Sequence, residues 1–336
     1  LFIKMLKKKI SILVTGGAGY IGSHIVEHLV KKRLQIIILD NLKTGSKKLV
    51  HKKTIFIKGD INNGKLLKKI FDKYNISTVI HLAGLIDVIE SHRNKKKYYR
   101  NNVLGTLNLL KSIKASPVKN FIFSSSAGVY GNINKSAKET MRTKPINNYA
   151  LTKLKSENLI KKYSQNYNFN YAILRYFNVA GASSSGKVGI LNRKNNSFFN
   201  VLAKQSLKKK PIINIFGNDY KTYDGTCIRD FIHVTDLAII HLKALENLTL
   251  KKKSFLINCG YGKGYSILKI AKLFKKYINK STDIKFKPPR RGDVAISYSN
   301  TSNLKKKIIW KPRYNNIRKI LTSAINWEKK ISKLNA

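Results

Sequence analysis

The stretch KISILVTGGAGYIGSHIVEHLVKK, residues 9–32, restricts the fold more than any other part of the chain. A short β-rich apolar run meets a glycine turn, and apolar residues then recur at helical spacing. Gly16, Gly19 and Gly22 are spaced G-x-x-G-x-x-G. In a strand–turn–helix unit the first such glycine permits the tight turn and the second lets the backbone approach a pyrophosphate. The third lets helix pack on strand. The helix N-terminus then faces the phosphates with its free N–H groups. Asp40 closes the next apolar run, LQIIILD, 18 residues after Gly22. A carboxylate there accepts both hydroxyls of an adenosine ribose and repels a 2′-phosphate, so the expected cofactor is NAD rather than NADP. Asp60, which ends the run TIFIKGD, is expected beside the adenine. Ordinary loop capping is the competing role for both carboxylates.

The first half keeps this rhythm. NGKLLKKIFDKY reads as a helix, STVIHLAG as a strand, YYRNNVLGTLNLLKSIK as a helix and NFIFSSS as a strand. NYAILRYFNVAG reads as one further strand. Runs this rich in Ile, Val and Leu imply strands buried on both faces. Strand–helix alternation implies the α/β class, with a doubly wound parallel sheet of Rossmann type. From about residue 180 the pattern loosens into the polar, glycine-rich GASSSGKVGILNRKNN. The elements beyond it describe a smaller C-terminal α/β substrate lobe. The expected division is a cofactor domain over 5–180, with segments near 215–245 returning to it, and a substrate lobe over 181–336.

With 67 basic against 16 acidic residues, the net charge is +51. Lysine triplets at 7–9, 95–97, 208–210, 251–253 and 305–307 spread along the chain instead of forming one arm. That pattern predicts solvated faces and no specific nucleic-acid partner, with polyanion sticking at low salt. No apolar run approaches the ~20 residues of a membrane span, so no membrane association is expected. The opening LFIKMLKKKISILVTGG lacks a small-residue cleavage site, and Met5 is the expected initiator. Cys227 and Cys259 form neither a disulfide framework nor a metal site. A cytoplasmic location and no metal are expected.

Tyr-x-x-x-Lys occurs twice, at Tyr149/Lys153 in NNYALTKLKSE and at Tyr265/Lys269. With 17 tyrosines and so many lysines, chance alone produces such matches. Only the first follows a serine-tipped strand. FIFSSSAGVYG puts Ser124, Ser125 and Ser126 at the carboxyl edge, where ligands of such sheets bind. Residues four apart share one helix face. A hydroxyl under oxidation loses a proton as its hydride leaves. A phenol of pKa ~10 is a poor base at neutral pH. The Lys153 ammonium and a cationic nicotinamide are therefore expected to lower the pKa of Tyr149, with Ser126 hydrogen-bonded to the reacting oxygen. A helix-facing tyrosine beside a surface lysine is the competing reading. The Ser–Tyr–Lys set resembles that of the short-chain dehydrogenase/reductase superfamily.

TGGAGYIGSH, DNL, the GD at 59–60, FIFSSSAGVYG, LRYFN and above all IFGNDYKTYDGTCIRDFIHVTDLA narrow this resemblance. From Ile10 to the last helix the chain is similar to the UDP-glucose (UDP-galactose) 4-epimerase family. The resemblance implies a homodimeric, NAD-dependent isomerase that interconverts UDP-galactose and UDP-glucose by transient oxidation at C4. It implies Ser126, Tyr149 and Lys153 as the catalytic set. It implies cofactor contacts from Gly16, Gly19, Tyr20, Ile21, Asp40, Asn41, Asp60, Ile61, Ala83, Gly84, Asn101, Ser124, Tyr149, Lys153 and Tyr176. For the substrate it implies Ser126, Tyr149, Asn178 and Ser197, with Ile215 and Phe216 about the uracil. Arg229 and Arg290 are implied at the diphosphate and Asp293 at the uridine ribose. An ion pair with Asp230 or Asp236 is the competing role for Arg229.

The chain also departs from the family pattern. Ile86 stands where many members have a lysine near the cofactor. Ser197 fills a position usually held by Asn or His. Ser297 falls where some members carry a bulky aromatic, which leaves room at C2 for an N-acetylated sugar such as UDP-N-acetylglucosamine. Ala127 and Gly128 follow Ser126 where 4,6-dehydratases have acidic residues, so elimination is not expected. A catalytically silent NAD-binding protein is the other class, and the intact Ser126/Tyr149/Lys153 set opposes it.

Overall fold

In the computed structural model, which describes residues 10–114, 116–192 and 194–334, strand β1 (Ser11–Thr15) runs between two parallel neighbours. β2 (Gln35–Asp40) lies on one side of it and β4 (Ile76–His81) on the other. β3 (Ile55–Lys58) extends the sheet beyond β2, and β5 (Asn120–Ser126) and β6 (Asn170–Tyr176) extend it beyond β4. The direction of winding reverses between β1 and β4, and a crevice opens there at the carboxyl ends of the strands. Residues 5–9, the start of the expected cofactor domain, lie outside the described residues.

Alternation along the strands supplies two apolar faces. Ile12, Val14, Ile36, Ile38 and Ile122 point to one side, where α1 (Tyr20–Val30) adds Ile25, Val26 and Leu29. Leu13, Ile37, Leu39, Phe121 and Phe123 point to the other. There α2 (Gly64–Lys73) packs through Leu67 and Ile70. The short α3 (Val88–Arg93) and α4 (Lys95–Tyr98) lead into a π turn (Tyr99–Leu104) and then α5 (Gly105–Ile113). α5 adds Leu109 and Leu110, and α6 (Asn148–Tyr167) adds Ile160. Burying both faces in this way removes apolar surface from water, at on the order of 0.8 kcal/mol of stabilisation per CH₂.

The run NYAILRYFNVAG is not one strand. It breaks at Phe177, whose N–H turns to the Cys259 carbonyl oxygen at 3.2 Å. Beyond the break, β7 (Asn178–Ala180) leaves the main sheet and pairs with β10 (Phe231–His233). In the second half α7 (Phe198–Gln205) precedes β8 (Ile212–Phe216), and β9 (Ile228–Arg229) follows. Of the segment 215–245, the β8 end pairs with β13 (Asp283–Lys287) inside the lobe. α8 (Val234–Lys251) instead lies against α1 and adds Leu237, Ile240 and Leu245 to the main core. The strand that rejoins the main sheet is β11 (Phe255–Cys259), on the outer side of β6. This gives seven parallel strands in the order β3–β2–β1–β4–β5–β6–β11.

The lobe has its own core. Ile213 and Ile215 of β8 meet Leu202 of α7, Phe274 of α9 (Ile267–Tyr277) and Ile320 and Leu321 of the C-terminal helix. The remaining elements are β12 (Tyr265–Ser266), β14 (Ile296–Ser297), α10 (Ser302–Lys307) and that last helix, α11 (Ile317–Lys333). The second Tyr-x-x-x-Lys pair lies here, with Lys269 over the Tyr265 ring at 6.0 Å, away from the main-sheet crevice.

Candidate functional site

The crevice is built from backbone first. Gly16 has φ +74°, and a β-carbon there would stand 2.7 Å from the Ala83 nitrogen. A β-carbon at Gly22 would fall 2.2 Å from the Gly16 carbonyl oxygen, so a side chain at either place would fill the turn. No side chain caps the start of α1 at Gly19, which leaves its N–H groups for a ligand. Asp40 is buried. Its carboxylate accepts from the Ala18 N–H at 3.0 Å and the Leu42 N–H at 2.9 Å. Burial raises its pKa, with the two N–H bonds opposing.

One groove gathers Gly16, Gly19, Tyr20, Ile21, Asp40, Asn41, Ile61, Ala83, Gly84, Asn101, Ser124 and Lys153. Asp60 stands just beside it and binds the Asn41 side-chain amide at 2.9 Å. Burial raises Asp60, but bonds from Asn62 and Asn41 outweigh it and hold the carboxyl below its ordinary value. Tyr176 does not line the groove. Its hydroxyl is bonded to His241 Nε2 at 2.5 Å inside the main core. Ile86 lies on the groove wall with 64% of its surface exposed. A cradle that β-carbons would fill, an uncapped helix start and a ribose-type carboxylate together fit a dinucleotide.

Tyr149 does not line this groove, although Lys153, one helix turn further on, does. α6 begins at Asn147, whose side chain caps the Ala150 N–H at 2.8 Å. The Tyr149 N–H donates to Ser91 Oγ at 3.2 Å, and Ser126 lies close enough to its phenol to oppose the effect of burial. Ser126 also accepts from the Gly128 N–H at 3.1 Å, which starts a tight turn after β5. Lys153 Nζ donates to the Ser124 carbonyl oxygen at 2.8 Å and lies over the Phe123 ring at 5.0 Å. The expected electrostatics are corrected here. Burial raises the Tyr149 phenol, Ser126 is the partner that opposes it, and Lys153 does not contribute. Burial in turn lowers Lys153 to about 8. Desolvation outweighs a point charge one turn away.

The lobe faces this centre with a second cluster. Arg229 Nη2 stands 3.8 Å from Asp293 Oδ1 and has no pair with Asp230 or Asp236. Asp230 is taken by Tyr261, Gly262 and Ser299, and Asp236 by Tyr261, Arg313 and Tyr314. The Arg290 guanidinium stacks on the Phe216 ring at 3.7 Å. Ile215 is 1% exposed and turns into the lobe core, so it offers almost no surface to a ligand. Asn178 is exposed at the start of β7. Ser197 is exposed at the start of α7, and Ser297 pairs beside Arg229.

Two residues passed over in the sequence hold the site. Asn102, in the π turn, accepts from the Leu85 N–H at 2.8 Å and donates to the Leu85 carbonyl and to Thr152 Oγ1, each at 3.0 Å. It staples the Gly84 loop to α6. The signal was an Asn-Asn pair inside a helical stretch, where Asn is disfavoured. Glu157, four after Lys153, is the other. Among the described residues no cluster of His, Cys, Asp and Glu has the makings of a metal site.

Residues 12–260 match the model of the NAD dependent epimerase/dehydratase family. A UDP-glucose 4-epimerase of Halalkalibacterium halodurans is 38% identical over 320 residues, covering 95% of this chain and 96% of that protein. The crystal structure of UDP-glucose-4-epimerase from Stenotrophomonas maltophila, with bound NAD and formylated UDP-arabinopyranose, superposes with TM-score 0.91 at 31% identity. It covers 96% of this chain and 99% of its own. The UDP-Glc/GlcNAc 4-epimerase of Campylobacter jejuni superposes with TM-score 0.82 at 37% identity, covering 95% and 99%.

Proposed function

The chain belongs to the NAD dependent epimerase/dehydratase family, and from that premise we propose that it is a UDP-hexose 4-epimerase interconverting UDP-galactose and UDP-glucose. The observation that carries this reading is Lys153 on the wall of the glycine-lined groove, bonded to the Ser124 carbonyl, with Tyr149 one helix turn before it and Ser126 beside the Tyr149 phenol. NAD bound there would supply reversible hydride acceptance at C4. Gly16, Gly19 and the start of α1 hold the pyrophosphate, and Asp40 holds the adenosine ribose. Tyr149 takes the O4 proton, with Ser126 bonded to the same oxygen, and later returns it. Lys153 keeps a positive charge beside the reacting centre. Proton transfer by such a group contributes about 10²–10⁴-fold.

The lobe anchors the nucleotide. Arg229 and Arg290 match phosphate oxygens, for which guanidinium forks are suited. Asp293 takes the uridine ribose, and the Phe216–Arg290 stack borders the base. Asn178 and Ser197 are placed toward the sugar. A firm hold on UDP and a loose one on the hexose let the oxidised sugar turn over without leaving. The division of labour follows the chain, with cofactor on 5–180 and substrate on 181–336.

The small Ser297 favours a wider substrate range that includes UDP-N-acetylglucosamine, the range named for the UDP-Glc/GlcNAc 4-epimerase of Campylobacter jejuni. We place the enzyme in the cytoplasm; no helix among the described residues is long and apolar enough to cross a membrane. We also read it as a homodimer. Tyr99 and Leu104 of the π turn and Leu151 of the adjoining α6 are exposed apolar groups that a second copy would cover.

A coupled assay of UDP-galactose conversion, on wild type and Tyr149→Phe, tests the reading. Wild-type turnover and a loss of about 10²-fold or more in the variant are expected. A variant as fast as wild type would remove Tyr149 from the mechanism.

A further inference from the structure

Three consecutive serines close β5, and three residues of α6 stand opposite them one turn apart. The Tyr149 phenol lies near Ser126, and Lys153 donates to the Ser124 carbonyl oxygen at 2.8 Å. Ser125 donates to Glu157 Oε1 at 2.5 Å. Spacing by four puts Tyr149, Lys153 and Glu157 on one helix face. The first two form the acid–base pair of the reaction. The third has no place in it so far.

Glu157 is fully buried. Arg175 of β6 forks onto both its oxygens, Nε to Oε1 at 2.9 Å and Nη2 to Oε2 at 2.7 Å. Ser125 and Arg175 are register partners across β5 and β6. One carboxylate therefore ties two strand ends to the helix that carries Tyr149. Arg175 lies over the Tyr130 ring at 4.8 Å, and its Nη1 has no hydrogen bond.

A buried ion pair is a poor device for stability alone, because apolar groups of like volume often replace it at no cost. This one has a second effect. Burial drives the Lys153 ammonium down to about 8, and Glu157 is the group that opposes it. Glu157 is the one charged group that offsets burial; the other favourable contacts of Lys153 are neutral. His81 on β4 is itself lowered to about 3, by burial first and then by Lys153. β5 presents the Phe123 ring and the Ser124 carbonyl. Asn102 and Gly84 on the loop side are neutral, and Arg175 stands behind Glu157.

Resting on the epimerase reading above, we propose that Glu157 is a positioning residue for the reaction. It keeps Lys153 in its ammonium form and holds the β5 end so that Ser126 and Tyr149 stay aligned.

The test is the pH profile of kcat for UDP-galactose, from about pH 6 to 10, together with a thermal melt of each variant. Glu157→Gln/Arg175→Met removes both buried charges. It is expected to melt near wild type, yet to lose activity at alkaline pH about one unit earlier, which is about tenfold at pH 9. KM stays within about twofold, because the UDP anchors are untouched. Glu157→Asp keeps a carboxylate and is expected to melt lower while holding the wild-type alkaline limb. A double variant with the wild-type limb, or with the same loss at every pH, overturns the proposal. Should the neutral variant not fold, Glu157→Asp decides: a limb that holds supports the proposal, and one that moves overturns it. A wild type inactive on UDP-galactose at every pH would overturn the functional reading instead.

Discussion

The Lys153 ammonium donates to the Ser124 carbonyl oxygen at 2.8 Å from a position where only 3% of the residue is exposed. A lysine so placed loses most of its hydration, and a single carbonyl does not restore it. Its pKa falls from an ordinary 10.5 to about 8, a shift worth about 3 kcal/mol in the folded state at neutral pH. The fold tolerates this cost at the place where the proposed chemistry needs a cation.

Lys153→Met should therefore be more stable than wild type at pH 7, by about 1–3 kcal/mol, and inactive. The sign follows from proton binding. Between about 8 and 10.5 the unfolded chain binds the extra proton, so wild-type stability rises with pH across that window. The advantage of the variant should shrink as the pH approaches 10. Urea melts at both pH values check this. A variant less stable than wild type at pH 7 would mean that the Ser124 bond outweighs desolvation.

Asp40 gives a prediction at the acid end of the pH range. Its carboxylate holds the Ala18 and Leu42 N–H groups and is raised by burial. Only the charged form accepts the ribose hydroxyls well. NAD affinity should thus weaken as the pH is lowered toward the raised pKa. Asp40→Ala should weaken it about tenfold or more at pH 7 and flatten that pH dependence. NAD released from denatured protein, prepared at pH 7 and at pH 5, is the measurement. Equal NAD content in both proteins at both pH values would remove Asp40 from the cofactor site.

Much of this is legible in the residue order alone. The glycine turn, Asp40 and the serine-tipped strand followed by Tyr149 and Lys153 depend on local spacing, and local spacing survives folding. The parallel sheet is legible from its Ile- and Val-rich runs. What is lost depends on partners far along the chain. Phe177 breaks its strand because β7 pairs with Phe231–His233, more than 50 residues later. Tyr176 turns to His241 and Arg229 to Asp293 for the same reason. The pKa order at the centre escapes a reading that counts charge proximity and leaves out burial. Ile215 is a different case: in IINIF, alternation alone puts Ile213 and Ile215 on one face, and that face is the lobe core.

Gly128 sets the distance between β5 and α6. A β-carbon there would lie 3.1 Å from the Ala150 methyl and 3.3 Å from Ser126 Oγ. Gly128→Val should push the helix off the strand end, at about 1–3 kcal/mol in stability. The larger effect should be on kcat, by about 10²-fold, because Ser126 and Tyr149 separate. KM for UDP-galactose should hold, since Arg229, Arg290 and Asp293 lie in the lobe. A KM effect without a kcat effect would place Gly128 outside the catalytic geometry.

Ser297 carries the last prediction. Its carbonyl accepts from the Asp230 N–H at 2.9 Å, and β14 pairs with β9 so that Ser297 lies level with Arg229. The backbone is thus fixed, and only the side chain is free to set the space beside the sugar. Ser297→Tyr replaces a hydroxymethyl with a phenol at that wall. Conversion of UDP-N-acetylglucosamine should fall by about 10²-fold or more, and that of UDP-glucose by less than about tenfold. A methylene-scale misfit in a pocket is worth only about 1–3 kcal/mol, whereas an N-acetyl group meeting a ring has no place to go. The ratio of the two kcat/KM values, in wild type and variant, is the measurement. If both substrates fell together, the introduced phenol would be disturbing the Arg229 strand and the C2 pocket would lie elsewhere.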